Sequence, residues 1–287
     1  MTRIAVMADI HGNLPALEAV VEDMRRVAPD QVIVAGDVVN RGPQSKACLD
    51  LVREAGWPVL YGNHEDYVLK FEGDTVPEAW LGDWWLPTRS VAQVELTADD
   101  LAYLKALPLY LVVDVLGLPA IRVVHGSPRA INEGLGFWMS DDDLIAAVEM
   151  SPEPVVIGAH THRPFDRRAG RWWALNTGAV GTPFNGNPAA QYLVLTARDG
   201  DWQVDFRAVP YDRAPVYAAW EQTGHLERST AAQVFKFEVE TATFHLMAYM
   251  EFCETRDLPL NAQASFARYR EAAAGTPPGR SHHLAAS

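Results

Sequence analysis

Five times along this chain a short apolar run with the character of a buried strand ends in a tight loop that carries side chains able to bind a metal. The runs are residues 3–8, 31–35, 58–61, 121–124 and 154–157. The loops after them hold Asp9 and His11, then Asp37, then Asn63, then His125, and finally His160 and His162. In an open α/β sheet, ligands collect in the crevice beyond the carboxyl ends of the strands, so residues far apart in sequence converge there. The pattern predicts an α/β fold with one metal site built at strand ends. Scattered polar residues, each satisfied on its own, are the alternative, and five coincidences of one kind argue against it.

The spacing between the loops supports the same architecture. Pro15 suits the first turn of a helix, and Leu17, Val20, Val21 and Met24 follow at amphipathic intervals. After the second run Pro43 opens another helix with Cys48, Leu49 and Val52 on its inner side, closed by Gly56 in a left-handed cap. A β-α-β-α-β order implies parallel strands joined by right-handed crossovers. From residue 109 strand follows strand (109–115, 121–124, 154–157, 172–176, 191–196, 202–209), with one short helix near residues 141–149. That predicts a second sheet packed on the first, with helices outside both. Residues 1–210 are expected to form the core. Residues 211–275, with Leu246, Tyr249, Met250, Cys253, Phe266, Tyr269 and Ala273 at helical intervals, are expected to add a helical extension that acts as a cap or a surface for a homo-oligomer. Residues 276–287 read as a mobile tail, in which His282 and His283 have no function.

Charge and cysteine usage limit the function classes. With 24 basic against 37 acidic residues the formal charge is −13, which works against broad binding to nucleic acid or anionic membranes. The two cysteines, Cys48 and Cys253, each fall inside an expected helix and read as core residues, without a disulfide framework. The first residues run straight into a strand without the pattern of a leader peptide, and no apolar stretch is long enough to cross a bilayer. A cytoplasmic protein is expected.

The loop clusters have a definite chemistry. Asp9 and His11 stand two residues apart, so in extended geometry both side chains face the same way and can hold one ion. Asp37 lies just past a buried strand, where its two oxygens can bridge two ions about 3.5–4 Å apart; a helix cap is its other reading. Asn63 offers a neutral amide oxygen beside His64, and His160 and His162 repeat the two-residue spacing with two imidazoles.

With the motifs DIH, GDVVNRG, GNHED, VVHGSP and GAHTH between residues 9 and 162, the sequence resembles the calcineurin-like metallophosphoesterase superfamily. The resemblance implies a four-layer α/β-β/α sandwich, with two mixed sheets flanked by helices, and a dinuclear centre. Asp9, His11 and His162 would hold the first ion, Asn63, His125 and His160 the second, and Asp37 would bridge them. Mixed nitrogen and oxygen donors suit manganese, the ion expected, or iron, zinc, cobalt or nickel, over calcium. Two divalent ions, two carboxylates and a bridging hydroxide leave the first shell about +1, so an anionic substrate fits despite the acidic surface. The expected reaction is attack of that hydroxide on phosphorus in line with the leaving group.

The same resemblance marks residues around the ions. His64 matches the motif histidine aimed at the leaving-group oxygen, as general acid or transition-state donor; a loop anchor is the plainer reading. Arg41 matches the arginine with which related phosphoprotein phosphatases grip phosphate. Arg129, just after His125-Gly126-Ser127-Pro128, is a candidate second contact, with a solvent-exposed role as its alternative. Together Arg41, Asn63, His64 and Arg129 form the expected substrate set.

Where those phosphatases carry an aspartate to partner the histidine, this chain has Asn40, leaving Glu65 or Asp66 as candidate partners. Their second arginine has no clear counterpart except Arg89, which weakens the case for a dedicated protein phosphatase. Residues 176–181 read as a tight turn beside the site. Trp80, Trp84 and Trp85 either pack a long loop onto the core or form a lid over an aryl or base group. The expected substrate is a small phosphorylated compound, a nucleotide among the candidates. A dinucleoside polyphosphate hydrolase is the alternative activity. A non-catalytic scaffold is the alternative class, which a chain that keeps every ligand and His64 does not favour.

Overall fold

The computed structural model of the chain describes residues 2–73 and 76–274. β1 (Arg3–Met7) leads into α1 (Leu14–Val27), whose first turn carries Pro15 and is capped by Asn13, with Ala16 N–H donating to its side-chain oxygen at 3.3 Å. Buried Leu17, Val20 and Met24 face the sheet, and the helix stops at Ala28 in a left-handed cap. β2 (Gln31–Val34) then pairs parallel with β1, Ile4 opposite Gln31 and Met7 opposite Val34. α2 (Ser45–Glu54) buries Cys48, Leu49 and Val52 as its spacing predicts.

The run at residues 58–61 does not become a full strand. Only Val59 bridges to Val34, because Pro58 has no N–H to donate and Tyr61 N–H turns away to Pro108 O at 2.8 Å. Chain order continues through α3 (Asn63–Leu69), α4 (Leu86–Ser90), a π-helical turn at Val91–Glu95 and α5 (Ala98–Lys105).

Next come β3 (Tyr110–Val113), β4 (Ile121–Val124), α6 (Asp141–Val148), β5 (Val155–Gly158), β6 (Pro164–Ala169), β7 (Trp172–Thr177), β8 (Ala190–Arg198) and β9 (Asp201–Val209). One sheet runs β2-β1-β8-β9 and the other β3-β4-β5-β7-β6. In the first, β8 runs antiparallel to β1 and turns into β9 through Asp199-Gly200, both at positive φ, a pairing suited to a tight hairpin. In the second, β4, β5 and β7 are parallel, with antiparallel β3 and β6 at the edges. β6 went unread in the sequence: its inner segment Asp166-Arg167-Arg168 is charged, and only Phe165 and Ala169 are buried, as befits an edge.

Alternation along β1 explains the layering. Ala5 and Met7 pack under α1 and α2 with Leu17, Val20 and Leu49. Ile4 and Val6 point the other way, against Val123, Ile157 and Leu175 of the second sheet. The far face of that sheet, Val124, Val156 and Ala174, is covered by Leu144, Ala147 and Val148 of α6. The result is the mixed α/β architecture with two sheets between helices that the motifs imply.

Beyond β9 come α7 (Ala214–Thr223), α8 (Thr230–Thr241), α9 (Leu246–Glu254) and α10 (Gln263–Ala274). They build two small cores, one around Val216, Trp220 and Val239, the other around Val234, Tyr249, Cys253, Phe266 and Tyr269. Cys48 and Cys253 are both buried and free. Residues 276–287, expected as a tail, lie outside the described residues. Among the described residues no helix is long and apolar enough to cross a membrane.

Candidate metal centre

The loops after β1, β2, β4 and β5 meet at one end of the two sheets, together with the start of α3. Backbone bonds lock them: Asp9 N–H to Gly36 O at 3.2 Å, His11 N–H to Asp37 O at 3.0 Å, and Ala159 N–H to His125 O at 2.7 Å. Asp9, His11, Asp37, His160 and His162 all have φ between 48° and 66°, and Asn40 and Arg41 follow at 71° and 66°. Left-handed backbone is uncommon for residues other than glycine and costs on the order of 1 kcal/mol or more at each position. Its concentration here means the surrounding structure fixes the backbone of these loops in a conformation they would not adopt alone.

Each carboxylate is half anchored. Asp9 Oδ2 accepts from His160 N–H at 3.0 Å and Asp37 Oδ1 from His64 N–H, the first turn of α3, at 2.8 Å. Their other oxygens, Asp9 Oδ1 and Asp37 Oδ2, are buried without a hydrogen-bond partner. Asp9 Oδ1 lies 3.5 Å from His162 Nε2 and 3.9 Å from His11 Nε2. Asp37 Oδ2 lies 3.6 Å from His11 Nε2 on one side and 3.3 Å from His125 Nε2 on the other. Buried oxygens left unpaired need a compensating charge.

The imidazoles are oriented for the same task. His125 Nδ1 donates to Ala35 O at 2.8 Å and His162 Nδ1 to Thr182 O at 2.5 Å, which turns each Nε2 inward. Asn63 Oδ1 sits 2.9 Å from His125 Nε2 and 2.8 Å from His160 Nδ1. Carboxylate and amide oxygens and imidazole nitrogens thus converge on one buried space, a setting that favours positive charge. Burial alone would depress His125, yet the carboxylates of Asp37 and Asp9 overcome it and raise it to about 10. His11 and His162, wholly buried, are pushed well down, first by desolvation. The donor set fits divalent cations: Asp9, His11 and His162 group together, as do Asp9, Asp37 and His125.

Residues 2–200 match the family model described as the calcineurin-like phosphoesterase superfamily domain. The chain belongs to that superfamily. An uncharacterised protein of Methanocaldococcus jannaschii, MJ0912, is 27% identical over 230 residues, covering 75% of this chain and 90% of that protein. A metallophosphoesterase from Sphaerobacter thermophilus of known crystal structure superposes with a TM-score of 0.66 at 26% identity, over 84% of this chain and all of that one. A symmetrical bis(5'-nucleosyl)-tetraphosphatase of Thioalkalivibrio sulfidiphilus is 38% identical over 69 residues, 23% of this chain and 26% of that protein.

Around this candidate centre the remaining expected residues divide. His64 is beside the ligands, its ring edge-on to His11 with centroids 4.7 Å apart. Its partner is Asn40 itself, Nδ2 to His64 Nδ1 at 2.9 Å, and neither Glu65 nor Asp66 takes that place. Asn40 Oδ1 is already committed, accepting from Arg41 N–H at 2.8 Å and Thr88 Oγ1 at 3.1 Å. The amide group therefore donates to Nδ1, and the tautomer assigned from this network carries its proton on Nε2. Burial is the main cause holding His64 down at about 3, and so neutral.

Glu65, fully buried, instead accepts from Asp37, Val38 and Gly62 N–H at 2.8–2.9 Å and ties two ligand loops together. Asp66 pairs with Tyr61 and Lys70. Arg41 is buried against α8, where its guanidinium pairs with Glu238. Arg129 lies half-exposed and bonds Glu133 through Nε at 2.9 Å. Arg89 bonds Leu81 O and lies near Asp83. Trp80 and Trp85 stack at 4.1 Å on each other beside Phe71, and Trp84 stacks on Tyr249, so all three rings are engaged in packing.

Proposed function

We propose that this phosphoesterase is a dinuclear-metal-dependent hydrolase of small phosphomonoesters or phosphodiesters. One observation carries the reading: Asp37 Oδ2, buried and unbonded, stands between His11 and His125 while Oδ1 is held by the α3 backbone. Asp9, His11 and His162 would hold one ion, and Asn63, His125 and His160 the other. When bound, two such ions supply a water acidified to near-neutral pH and neutralise charge on the phosphoryl oxygens; manganese is the ion to load first.

The chain's own groups do the rest. Arg41, its Nη2 already paired with Glu238, offers its remaining N–H groups to phosphoryl oxygens. His64 presents Nε2–H to the oxygen that departs or gains charge. Because Asn40 donates to Nδ1, His64 acts as a neutral hydrogen-bond donor, since an imidazolium would set two N–H groups against each other. Arg129, tied to Glu133, is left out of the substrate set.

The test is hydrolysis of paired aryl phosphate monoester and diester by manganese-loaded protein. We expect Asp37→Asn to lower turnover by at least ~10³-fold with loss of bound metal, and His64→Ala to lower it by ~10²-fold with both ions retained. Undiminished activity in metal-analysed Asp37→Asn protein sinks the reading. The dinucleoside polyphosphate alternative is supported by the short tetraphosphatase match but gains nothing from the tryptophans, whose rings pack against neighbours.

A further inference from the structure

The C-terminal helices reach the metal centre through one buried ion pair. Glu238 of α8 is wholly buried, and its Oε1 accepts from His245 and Leu246 N–H at 2.8 and 2.9 Å, where α9 begins. Its Oε2 pairs with Arg41 Nη2. The guanidinium lies 4.5 Å from the centre of the Phe235 ring, on the same helix, and 5.7 Å from that of Phe184. Phe184 in turn stacks flat on the ligand ring of His162, centroids 4.3 Å apart, and touches Phe244 at 5.0 Å. Arg41 is only 6% exposed, and its Nε has no partner.

A carboxylate fixed by two backbone amides is a poor choice for mere surface pairing and a good one for holding a cation still. An arginine side chain has many rotamers, and a free one gives up part of that freedom when it grips an anion. Here the ordering is done in the folded protein: one edge goes to Glu238, Phe235 covers a face, and Nε is buried without a partner. We infer that Glu238 is a positioning residue for Arg41, so that α8 forms part of the phosphate-binding site. This rests on the reading of the centre as a phosphoester site, and it assigns the C-terminal helices a role that residues 2–200 alone cannot fill.

The experiment uses the full chain, manganese-loaded, and follows inorganic phosphate binding by calorimetry beside aryl phosphate kinetics. Glu238→Gln keeps an oxygen for the α9 amides and removes the charge. We expect it to weaken phosphate about tenfold and raise KM by the same factor, with kcat falling less and metal content unchanged. Arg41→Ala should weaken phosphate at least as much, and adding Glu238→Gln to it should change nothing further. Wild-type phosphate affinity in Glu238→Gln, tighter binding, or losses that add in the double variant overturn the inference. Should Glu238→Gln fail to fold, Phe235→Leu removes the covering ring without touching a charge, and unchanged phosphate affinity there overturns it equally. A wild-type chain that binds phosphate but hydrolyses neither ester refutes the hydrolase reading alone, because the titration reads Glu238 without turnover.

Discussion

Replacing Glu65 by glutamine tests whether one buried carboxylate holds the ligand loops in register. Oε2 accepts from Asp37 N–H at 2.8 Å and Gly62 N–H at 2.9 Å; Oε1 accepts from Val38 N–H at 2.8 Å and, more weakly, Val39 N–H at 3.4 Å. Whichever way the new amide turns, its NH2 faces two N–H donors. A buried donor left unsatisfied costs about 1–3 kcal/mol, so the gross loss is about 2–6 kcal/mol. Part is returned: burial, and then the neighbouring charge of Asp37, raise Glu65 to about 7, so the native carboxylate is itself under electrostatic strain. We expect a net loss of about 2–3 kcal/mol against a total stability on the order of 5–15 kcal/mol. The assay is urea denaturation of chelator-treated protein above the raised pKa, so that ion binding does not mask the change. Unchanged or increased stability at equal slope refutes the reasoning.

Two further substitutions probe the frame around the site. Asp23 of α1 takes Arg207 Nε at 2.7 Å and Nη2 at 3.1 Å, and Tyr192 OH at 2.7 Å, and the Arg207 bond leads the causes that hold it down at about 2. A depressed carboxylate stabilises above its unfolded pKa and loses that contribution as pH falls through the folded value. Asp23→Asn should therefore cost about 2 kcal/mol near neutrality, with its melting curve converging on wild type as pH drops from about 4 toward 2; parallel curves would contradict this. At Gly62 a Cβ would sit 2.2 Å from Asp37 Oδ1 and 2.7 Å from Asp37 N and Glu65 Oε2, none free to retreat. Gly62→Ala should cost about 1–3 kcal/mol and lower the metal retained after gel filtration, and full retention would show that the loop adapts.

The convergence of the candidate ligands was legible because each is announced locally, as a side chain able to bind a metal just past an apolar run, and parallel strands need only share a direction for those ends to meet. What holds the ligands was not. Thr182 fixes His162 through a backbone carbonyl, which has no side-chain signature. Glu65, one residue past His64, read with Asp66 as a candidate partner because sequence gives neighbours and not directions; on the first turn of α3 it points to the β2 loop instead. Residues 58–61 have the composition of a strand, but proline at the start and a diverted Tyr61 leave a single bridge.

Helical periodicity showed that residues after 210 bury a face, without saying against what, and a cap or dimer surface was the natural expectation. One signal for more was present. On α8 Val234, Phe235, Glu238 and Val239 are all buried, so a glutamate occupies the apolar stripe. An unpaired carboxylate there would carry a desolvation penalty of several kcal/mol, and a fold keeps such a residue only where a cation or several N–H donors meet it. Glu238 has both: the amides of His245 and Leu246, and the guanidinium of Arg41 from the loop after β2. Arg41 meets the same requirement from its side, since an arginine with 6% exposure needs a buried counter-charge. Arg41 therefore has its buried counter-charge on α8, and the C-terminal helices and the metal-site loop each bury a charge that the other neutralises.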